Sequence, residues 1–178
     1  MPNPYFQFKQ FTIRHDQCAM KVCTDACIFG AYFSTRISPG SRVLDIGSGS
    51  GLLTLLLAQK AEAQFHAIEK DIPSFEQMQY NVEESFWKNK IILHPGDVTH
   101  YTFDAPHDFI ICNPPFYEND LKSDDKKKNL AKHDTGLTLE KLIQVIDENL
   151  AATGRFGLLL PYRRTGELEQ LASDQGFY

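Results

Sequence analysis

Short apolar stretches alternate with helix-like stretches from residue 42 to the end of the chain. Strands this short and this apolar are buried on both faces, as in parallel sheets that helices cover on both sides. The alternation therefore predicts an α/β fold with a doubly wound, mostly parallel sheet. The predicted strands are residues 43–46, 65–68, 91–93, 109–112 and 156–160, and the predicted helices are residues 52–59, 73–86, 139–150 and 166–173.

Length and composition place the chain among ordinary globular proteins. With 178 residues, of which 42% are apolar and 23% charged, it is expected to form one folded domain. No apolar run approaches the ~20 residues that a membrane-spanning helix needs, so no membrane partner is expected. The N-terminus lacks a basic stretch followed by an apolar one, so a secretory signal is not expected and the cytoplasm is the expected location.

The charge is unevenly distributed along the chain. The net charge of −5 argues against broad, non-specific nucleic-acid binding. Residues 1–42 nevertheless carry five basic and two acidic side chains, a net of +3, so a local basic surface is compatible with an acidic whole. The mixed charges of residues 122–128 are typical of a solvated surface loop, although the same run could also contact phosphate.

The four cysteines raise the question of a metal site. Cys18, Cys23 and Cys27 lie close together in sequence, near His15, whereas Cys112 stands alone. The spacing Cys-x4-Cys-x3-Cys matches no common zinc pattern. Reduced, partly buried thiols and no bound metal are therefore expected.

A glycine-rich loop follows the first predicted strand of the sheet and directly precedes a helix. Its residues are Asp45, Gly47, Gly49 and Gly51, each separated by one other residue. Glycines let a backbone approach a ligand closely, and ligands of doubly wound sheets bind beyond the carboxyl ends of the strands. A nicotinamide-binding loop would need glycine or alanine where Leu52 stands, and the Gly-Lys-Ser/Thr sequence of a phosphate-binding loop is absent.

The loop resembles the S-adenosylmethionine loop of class I methyltransferases, and two acids fit the same cofactor. Glu69 ends the next strand, 22 residues after Gly47, where a carboxylate can accept hydrogen bonds from both ribose hydroxyls. The resemblance implies that Asp97, after the third strand, faces the adenine amino group, although an acid there can equally cap a turn. The fold implied is Rossmann-like, with S-adenosylmethionine as the cofactor.

The run Asn113, Pro114, Pro115 and Phe116 follows the apolar strand at residues 109–112. An exocyclic amino nitrogen is a poor nucleophile because its lone pair is delocalised into the adjoining π-system. The Asn113 side-chain oxygen and the Pro114 carbonyl can each accept one of its N–H groups, which returns electron density to nitrogen. The prolines stiffen the backbone and Phe116 can stack on a flat base. A rigid turn is the alternative interpretation.

These motifs resemble those of amino-methyltransferases that act on adenine N6, guanine N2 or a glutamine amide. The N-terminal stretch, at residues 8–11, 15–22, 24–25 and 30–31, further resembles the opening of bacterial tRNA(Val) adenine-N6 methyltransferases. That resemblance covers nearly the whole chain and implies methylation of the anticodon-loop adenosine 37, with tRNA as the partner. It also implies that Lys21, Thr24 and Asp25 lie near the donor and the target base. Cys23, Cys27 and Lys132 depart from the family pattern.

The resemblance also implies a domain organisation. Residues 1–40 are expected to form a lid over substrate and donor, and residues 41–178 the methyltransferase domain. Class I methyltransferases have seven strands, so this chain is expected to lack the C-terminal strand hairpin and to be part of a longer enzyme. The strand at residues 156–160 would then be an apolar edge, which is prone to aggregation.

Other functions remain open from the residues alone. The enzyme could be an amino-methyltransferase acting on rRNA guanine N2, DNA adenine or a release-factor glutamine. A binding module that kept the fold and lost catalysis is also possible, although the intact Asn113 motif and Glu69 argue against it. Leu52 disfavours a nicotinamide-dependent oxidoreductase.

Overall fold

The computed structural model describes residues 3–114 and 137–177, and these form a parallel sheet flanked by helices. A small antiparallel hairpin, β1 (Tyr5–Gln7) and β2 (Thr12–Arg14), precedes the sheet. The sheet has the order β5-β4-β3-β6-β7, with every neighbouring pair parallel. Its strands are β3 (Arg42–Ile46), β4 (Gln64–Glu69), β5 (Ile91–Pro95), β6 (His107–Cys112) and β7 (Leu150–Leu158). The predicted doubly wound parallel sheet is confirmed.

Helices cover both faces of the sheet. They are α1 (Thr24–Ser34), α2 (Leu52–Ala58), α3 (Ile72–Glu83), α4 (Leu139–Asn149) and α5 (Thr165–Asp174). The first three pack on one face around Phe65 and Ile111, and the last two pack on the other around Leu44 and Ile110. Strand residues alternate between these two cores, which is why most of the central residues of the strands are apolar. No helix in the described part of the chain is long and apolar enough to cross a membrane.

Local sequence explains where the helices begin. The Asp71 side chain accepts a hydrogen bond from the Ser74 N–H at 3.1 Å, and Pro73 stands in the first turn of α3, where its missing N–H costs nothing. Thr138 caps α4 in the same way. The apolar side chains of α4 recur at intervals of three and four residues and are buried, as the periodicity predicted.

Three features differ from the sequence prediction or were not foreseen. The hairpin and α1 were not predicted, since α1 has apolar side chains on all sides, including the exposed Ile28 and Tyr32, and so shows little helical periodicity. The last strand begins at Leu150 and ends at Leu158, whereas residues 156–160 were expected. Leu150 is paired with His107 and Arg155 with Phe109, so residues 151–154 form an irregularity between these two pairs, which the sequence pattern did not predict. Within the described residues β7 is an edge strand, as expected.

Three histidines from different strands of the sheet pack together. His66 and His94 are stacked, with their centroids 5.1 Å apart and Nδ1 of His66 2.9 Å from Nε2 of His94. The Tyr101 hydroxyl lies 2.7 Å from the other nitrogen of His94, and His107 packs edge-on against His66. Burial lowers the pKa of His66 and of His107 to about 4, and it also lowers the pKa of His94. The folded protein therefore holds these imidazoles neutral.

This cluster predicts a loss of stability in mild acid. Between pH 6.5 and 4 the unfolded chain protonates His66 and His107 while the folded protein does not, so the free energy of unfolding falls as the pH is lowered. Asp45 has the opposite effect, because burial raises its pKa to about 7. It is protonated in the folded protein and loses that proton on unfolding, which cancels one of the two protons that the histidines take up. Two protons on the histidines less one on Asp45 give a net slope of about 1.4 kcal/mol per pH unit, and His94 adds to it because its pKa is also lowered.

Urea unfolding at several pH values between 4 and 7 measures that slope. In a His66→Leu variant the slope should fall by about 1.4 kcal/mol per pH unit, because one of the protons taken up on unfolding is lost. A wild-type stability that does not change over this range would contradict the expectation.

Candidate active site

The register of the parallel strands brings three predicted site residues to one edge of the sheet. Ile46 at the end of β3 is paired with Ile68 of β4 on one side and with Cys112 of β6 on the other. The residues that follow Ile46, Ile68 and Cys112 in the chain are Gly47, Glu69 and Asn113, respectively. All three therefore lie at the same level, and all three line a cavity of 380 Å³.

The cavity combines apolar walls with a few polar groups, as is usual for a site that binds a small organic molecule. Its apolar lining is Met20, Ile46, Ile68, Val98, Cys112, Pro114 and Leu137. Its polar side chains include Glu69, Lys70, Asp71, Ser74, Asp97 and Asn113. The sequence predicted Glu69, Asp97 and Asn113 as site residues, but not Ile46, Ile68 or Val98. Apolar core residues look alike in the sequence, and only the fold shows which of them lie at the cavity.

Two glycines of the predicted loop form one wall of the cavity. The N–H groups of Gly47 and Ser48 donate to the Ile68 carbonyl at 3.0 and 3.1 Å, which folds the loop back onto β4. Gly47 has a φ of +67° and Gly49 a φ of +55°, a region that other residues rarely adopt. A Cβ at either position would meet no protein atom within 4 Å, so the loop backbone is bare towards the cavity.

Asp45 and Gly51 support the loop rather than line the cavity. Asp45 is 2% exposed, and one of its carboxylate oxygens accepts hydrogen bonds from the Thr54 N–H at 3.1 Å and the Thr54 hydroxyl at 2.6 Å. Burial raises the pKa of Asp45 to about 7. Gly51 immediately precedes α2 with a φ of +80°, and a Cβ there would lie 3.1 Å from Met78. Their direct contact with a cofactor stays a prediction.

Glu69 joins the glycine loop to the segment after β4. One carboxylate oxygen accepts from the Gly49 N–H at 2.9 Å, and the other accepts from the Asp71 N–H at 2.8 Å. The carboxylate is 9% exposed and lines the cavity. Each oxygen has a second lone pair, so both can still accept a hydrogen bond from a ligand hydroxyl.

Asp97 both lines the cavity and caps a turn, so the two interpretations of this residue are compatible. One of its oxygens accepts from the N–H and the hydroxyl of Thr99, at 3.0 and 2.8 Å. Burial opposes ionisation of Asp97, but these hydrogen bonds and the Lys70 ammonium, 4.0 Å from its other oxygen, outweigh burial and lower the pKa. The carboxylate is therefore an acceptor at neutral pH.

Asn113 presents an unsatisfied acceptor at the cavity. Its Oδ1 atom is buried and has no hydrogen-bond partner among the described residues, which is rare for a buried amide oxygen. Pro114 lines the cavity beside it. Pro115, Phe116 and residues 122–128 lie outside the described residues, so their predicted roles stay predictions.

The N-terminal segment forms a roof that the residue pattern alone did not place. Cys18, Ala19 and Met20 line the cavity from above the glycine loop. Lys21 does not line the cavity, so its predicted contact with the donor stays a prediction. Its ammonium donates to the carbonyls of His15 at 2.6 Å and Cys18 at 3.0 Å, and so closes the loop that carries the roof.

Two amides of α3 hold this roof in place. The Asn81 side chain accepts from the Arg14 N–H at 3.0 Å and donates to the carbonyls of Arg14 and Ser50, both at 2.8 Å. The Gln77 oxygen accepts from the Gln17 N–H at 2.7 Å. Asn81 is 2% exposed, so one buried side chain ties the N-terminal segment to the glycine loop.

The remaining N-terminal candidates lie apart from the cavity. Thr24 and Asp25 are exposed in the first turn of α1 and do not line it, so their predicted contact with the donor stays a prediction. All four cysteines are free thiols, and burial raises the pKa of Cys18 and of Cys112, which keeps both neutral. Within residues 3–114 and 137–177, no group of three or more histidine, cysteine or acidic side chains could hold a metal ion.

Solved structures show the same architecture. A precorrin-6y C5,15-methyltransferase from Geobacter metallireducens matches with a TM-score of 0.64 over 89% of this chain and 76% of its own, at 16% identity. A SAM-dependent methyltransferase from Geobacter sulfurreducens in complex with S-adenosyl-L-homocysteine matches with a TM-score of 0.56 over 77% of this chain and 47% of its own, at 20% identity. At these identities the likeness concerns the fold, which is that of Rossmann-like methyltransferases.

Sequence comparison identifies the family. The model of the methyltransferase small domain matches residues 28–159. A protein of Dyadobacter fermentans named tRNA1(Val) (adenine(37)-N6)-methyltransferase is 42% identical over 98% of this chain and 72% of its own length. A Bacteroides fragilis protein of the same name is 37% identical over 100% of this chain and 76% of its own. The chain therefore belongs to the methyltransferase small domain family, alongside proteins named tRNA1(Val) (adenine(37)-N6)-methyltransferases.

Proposed function

We propose that this protein transfers a methyl group from S-adenosylmethionine to N6 of adenine in tRNA, at adenine 37 of tRNA(Val), in the cytoplasm. The reaction and the substrate are those in the names of its relatives. The structural observation that carries the proposal is the buried, unpartnered Asn113 oxygen at the cavity, because an amino group is the kind of donor that such an acceptor lacks.

The cavity has the groups that the methyl donor requires. Glu69 can accept from the ribose hydroxyls, Asp97 from the adenine amino group, and Ile68 and Val98 offer apolar contact to the adenine ring. The bare backbone at Gly47 and Gly49 leaves room for the amino-acid end of the donor. S-adenosylmethionine, when bound, supplies an electrophilic methyl group on a sulfonium.

The chain's own part in the reaction is to orient the target nitrogen. The Asn113 oxygen accepts one N–H of the adenine amino group and the Pro114 carbonyl accepts the other. These two hydrogen bonds fix the direction of the nitrogen lone pair and oppose its delocalisation into the ring. Positioning of this kind is the main requirement when the leaving group is already activated. No general base is required before attack, because the extra proton can leave afterwards.

Methylation of tRNA transcripts tests the function directly. The protein is incubated with labelled S-adenosylmethionine and a tRNA(Val) transcript, and the digested nucleosides are identified by mass spectrometry. N6-methyladenosine is the expected product. N2-methylguanosine, or labelling of protein but not of RNA, would replace the proposal with one of the other amino-methyltransferase activities.

Replacement of Asn113 by alanine should abolish methyl transfer while donor binding survives. The change removes one of the two acceptors on the amino nitrogen, and we expect kcat to fall by at least about 100-fold, the order seen when an oriented hydrogen-bonding group is lost from a reacting centre. Calorimetry with the donor should give a Kd within about twofold of wild type. Near-normal turnover by Asn113→Ala would refute the role of this side chain.

Replacement of Gly49 by valine should abolish donor binding. Gly49 has a φ of +55°, its N–H donates to Glu69, and a side chain there would project into the site. Gly40→Val is the matched control, because Gly40 also has a positive φ, of +81°, and a Cβ there would meet no protein atom within 4 Å, but this glycine lies in the turn before β3, away from the cavity. Both variants should be strained, but only Gly49→Val should lose the donor in calorimetry. Equal donor affinity in the two variants would remove Gly49 from the site.

Replacement of Lys21 by methionine should weaken donor binding indirectly. The variant keeps the aliphatic side chain but loses the ammonium that gathers the His15 and Cys18 carbonyls, so the roof over the cavity loosens. We expect the donor Kd to rise several-fold with little change in the melting temperature. Lys9→Met is a suitable control, since Lys9 is exposed and remote from the cavity. An unchanged Kd would show that Lys21 does not shape the site.

A further inference from the structure

A large aromatic side chain is displayed at the edge of the sheet that carries the active site. Tyr162 is 91% exposed, the most exposed of the large apolar side chains in the described residues. It follows β7 directly, in a short 3-10 turn formed by Tyr162–Arg164. Neither the donor cavity nor the proposed chemistry uses it. A side chain so placed is a candidate for contact with the substrate.

The register of β7 places this turn close to Asn113. Leu158 is paired with Cys112, and the Leu159 N–H donates to the Cys112 carbonyl at 3.1 Å. Leu159 therefore lies beside the strand end from which Asn113 projects. Tyr162 comes three residues later, at the same carboxyl edge of the sheet. A macromolecule with one base in the cavity would have to pass over this edge.

Hydrogen bonds fix the backbone of the turn that carries Tyr162. The Thr165 hydroxyl donates to the Tyr162 carbonyl at 2.7 Å, and the Arg164 N–H donates to the Pro161 carbonyl at 2.9 Å. Arg164 also makes a two-pronged ion pair with Glu167, at 2.9 Å for each hydrogen bond, which lowers the pKa of that carboxyl. Beyond the turn, Leu168 and Leu171 of α5 pack against the core.

We infer that Tyr162 and Arg163 form a contact surface for the RNA strand next to the target adenosine, with the ring stacked on a neighbouring base and the guanidinium near a phosphate. This inference rests on the proposed function. A target base that enters a pocket leaves its neighbours partly unstacked, and an exposed aromatic ring can cover such a base. An arginine beside the ring supplies a positive charge, which the phosphate backbone of RNA attracts.

The surroundings of Tyr162 favour RNA over a protein partner. Protein interfaces are centred on contiguous apolar surface. Here the exposed neighbours in sequence are Arg163, Thr165, Gly166 and Glu167, which are charged, polar or small, and the apolar Leu160 and Pro161 are half-buried. One fully exposed ring next to an arginine is the arrangement expected for stacking on a single base.

The test compares two equally exposed aromatic residues at opposite edges of the sheet. Phe86 is 86% exposed and lies just before β5 begins, at the edge remote from the cavity. We expect Tyr162→Ala to raise the Kd for a tRNA(Val) transcript about tenfold, measured by filter binding, with the donor Kd from calorimetry unchanged. Tyr162→Phe should retain wild-type RNA affinity, because the ring is kept. Phe86→Ala should also bind the transcript with the wild-type Kd.

The charge on Arg163 has a separate readout. If Arg163 neutralises one phosphate, Arg163→Gln should lower the slope of log Kd against log salt by about one, whereas Tyr162→Ala should leave the slope unchanged. Equal RNA affinity in Tyr162→Ala and wild type would refute the inferred RNA-contact surface while leaving the proposed function intact. A wild-type protein that neither binds nor methylates tRNA would overturn both. Loss of RNA affinity in Phe86→Ala as large as in Tyr162→Ala would overturn the assignment to this edge.

Discussion

The parallel register of the three central strands is the constraint on which the site depends. Because Ile46 is paired with both Ile68 and Cys112, three strands end at one level, and the residue after each end faces the same space. Gly47, Glu69 and Asn113 are thereby brought together although 66 positions separate the first from the last. Helices on both faces bury the strands, so a shift in register would expose core side chains.

Hydrogen bonds between buried polar groups then join the loops that leave these strands. Glu69 ties the glycine loop to the start of α3, and Asn81 ties the same loop to the N-terminal segment. A buried polar group that loses its partner is costly, so each of these side chains holds its loops in one arrangement. The cavity is in this way shaped before any ligand binds, which suits a reaction whose main demand is positioning.

The cavity and the histidine cluster have different physical roles. The carboxyl edge carries the cavity, its roof and the exposed Tyr162, whereas the neutral histidines His66, His94 and His107 pack against one another within the sheet. These imidazoles stabilise the fold only while they remain neutral. The response of stability to acid is thus set by these histidines together with Asp45, which supports the glycine loop.

The sequence by itself determined the fold class and the position of the glycine loop, Glu69, Asp97 and Asn113 at strand ends, because strand–helix alternation and residues at strand ends are local patterns. The binding and catalytic roles of these residues stay predictions. The sequence also showed the family through its N-terminal stretch. Only the tertiary structure decided that Asp45 and Gly51 support the loop, that Lys21 closes the roof, and that Cys18 to Met20 form it. Those roles depend on partners such as Thr54 and the His15 carbonyl, and on which side of a loop faces the cavity. Such contacts between separate segments leave no periodic trace in the chain.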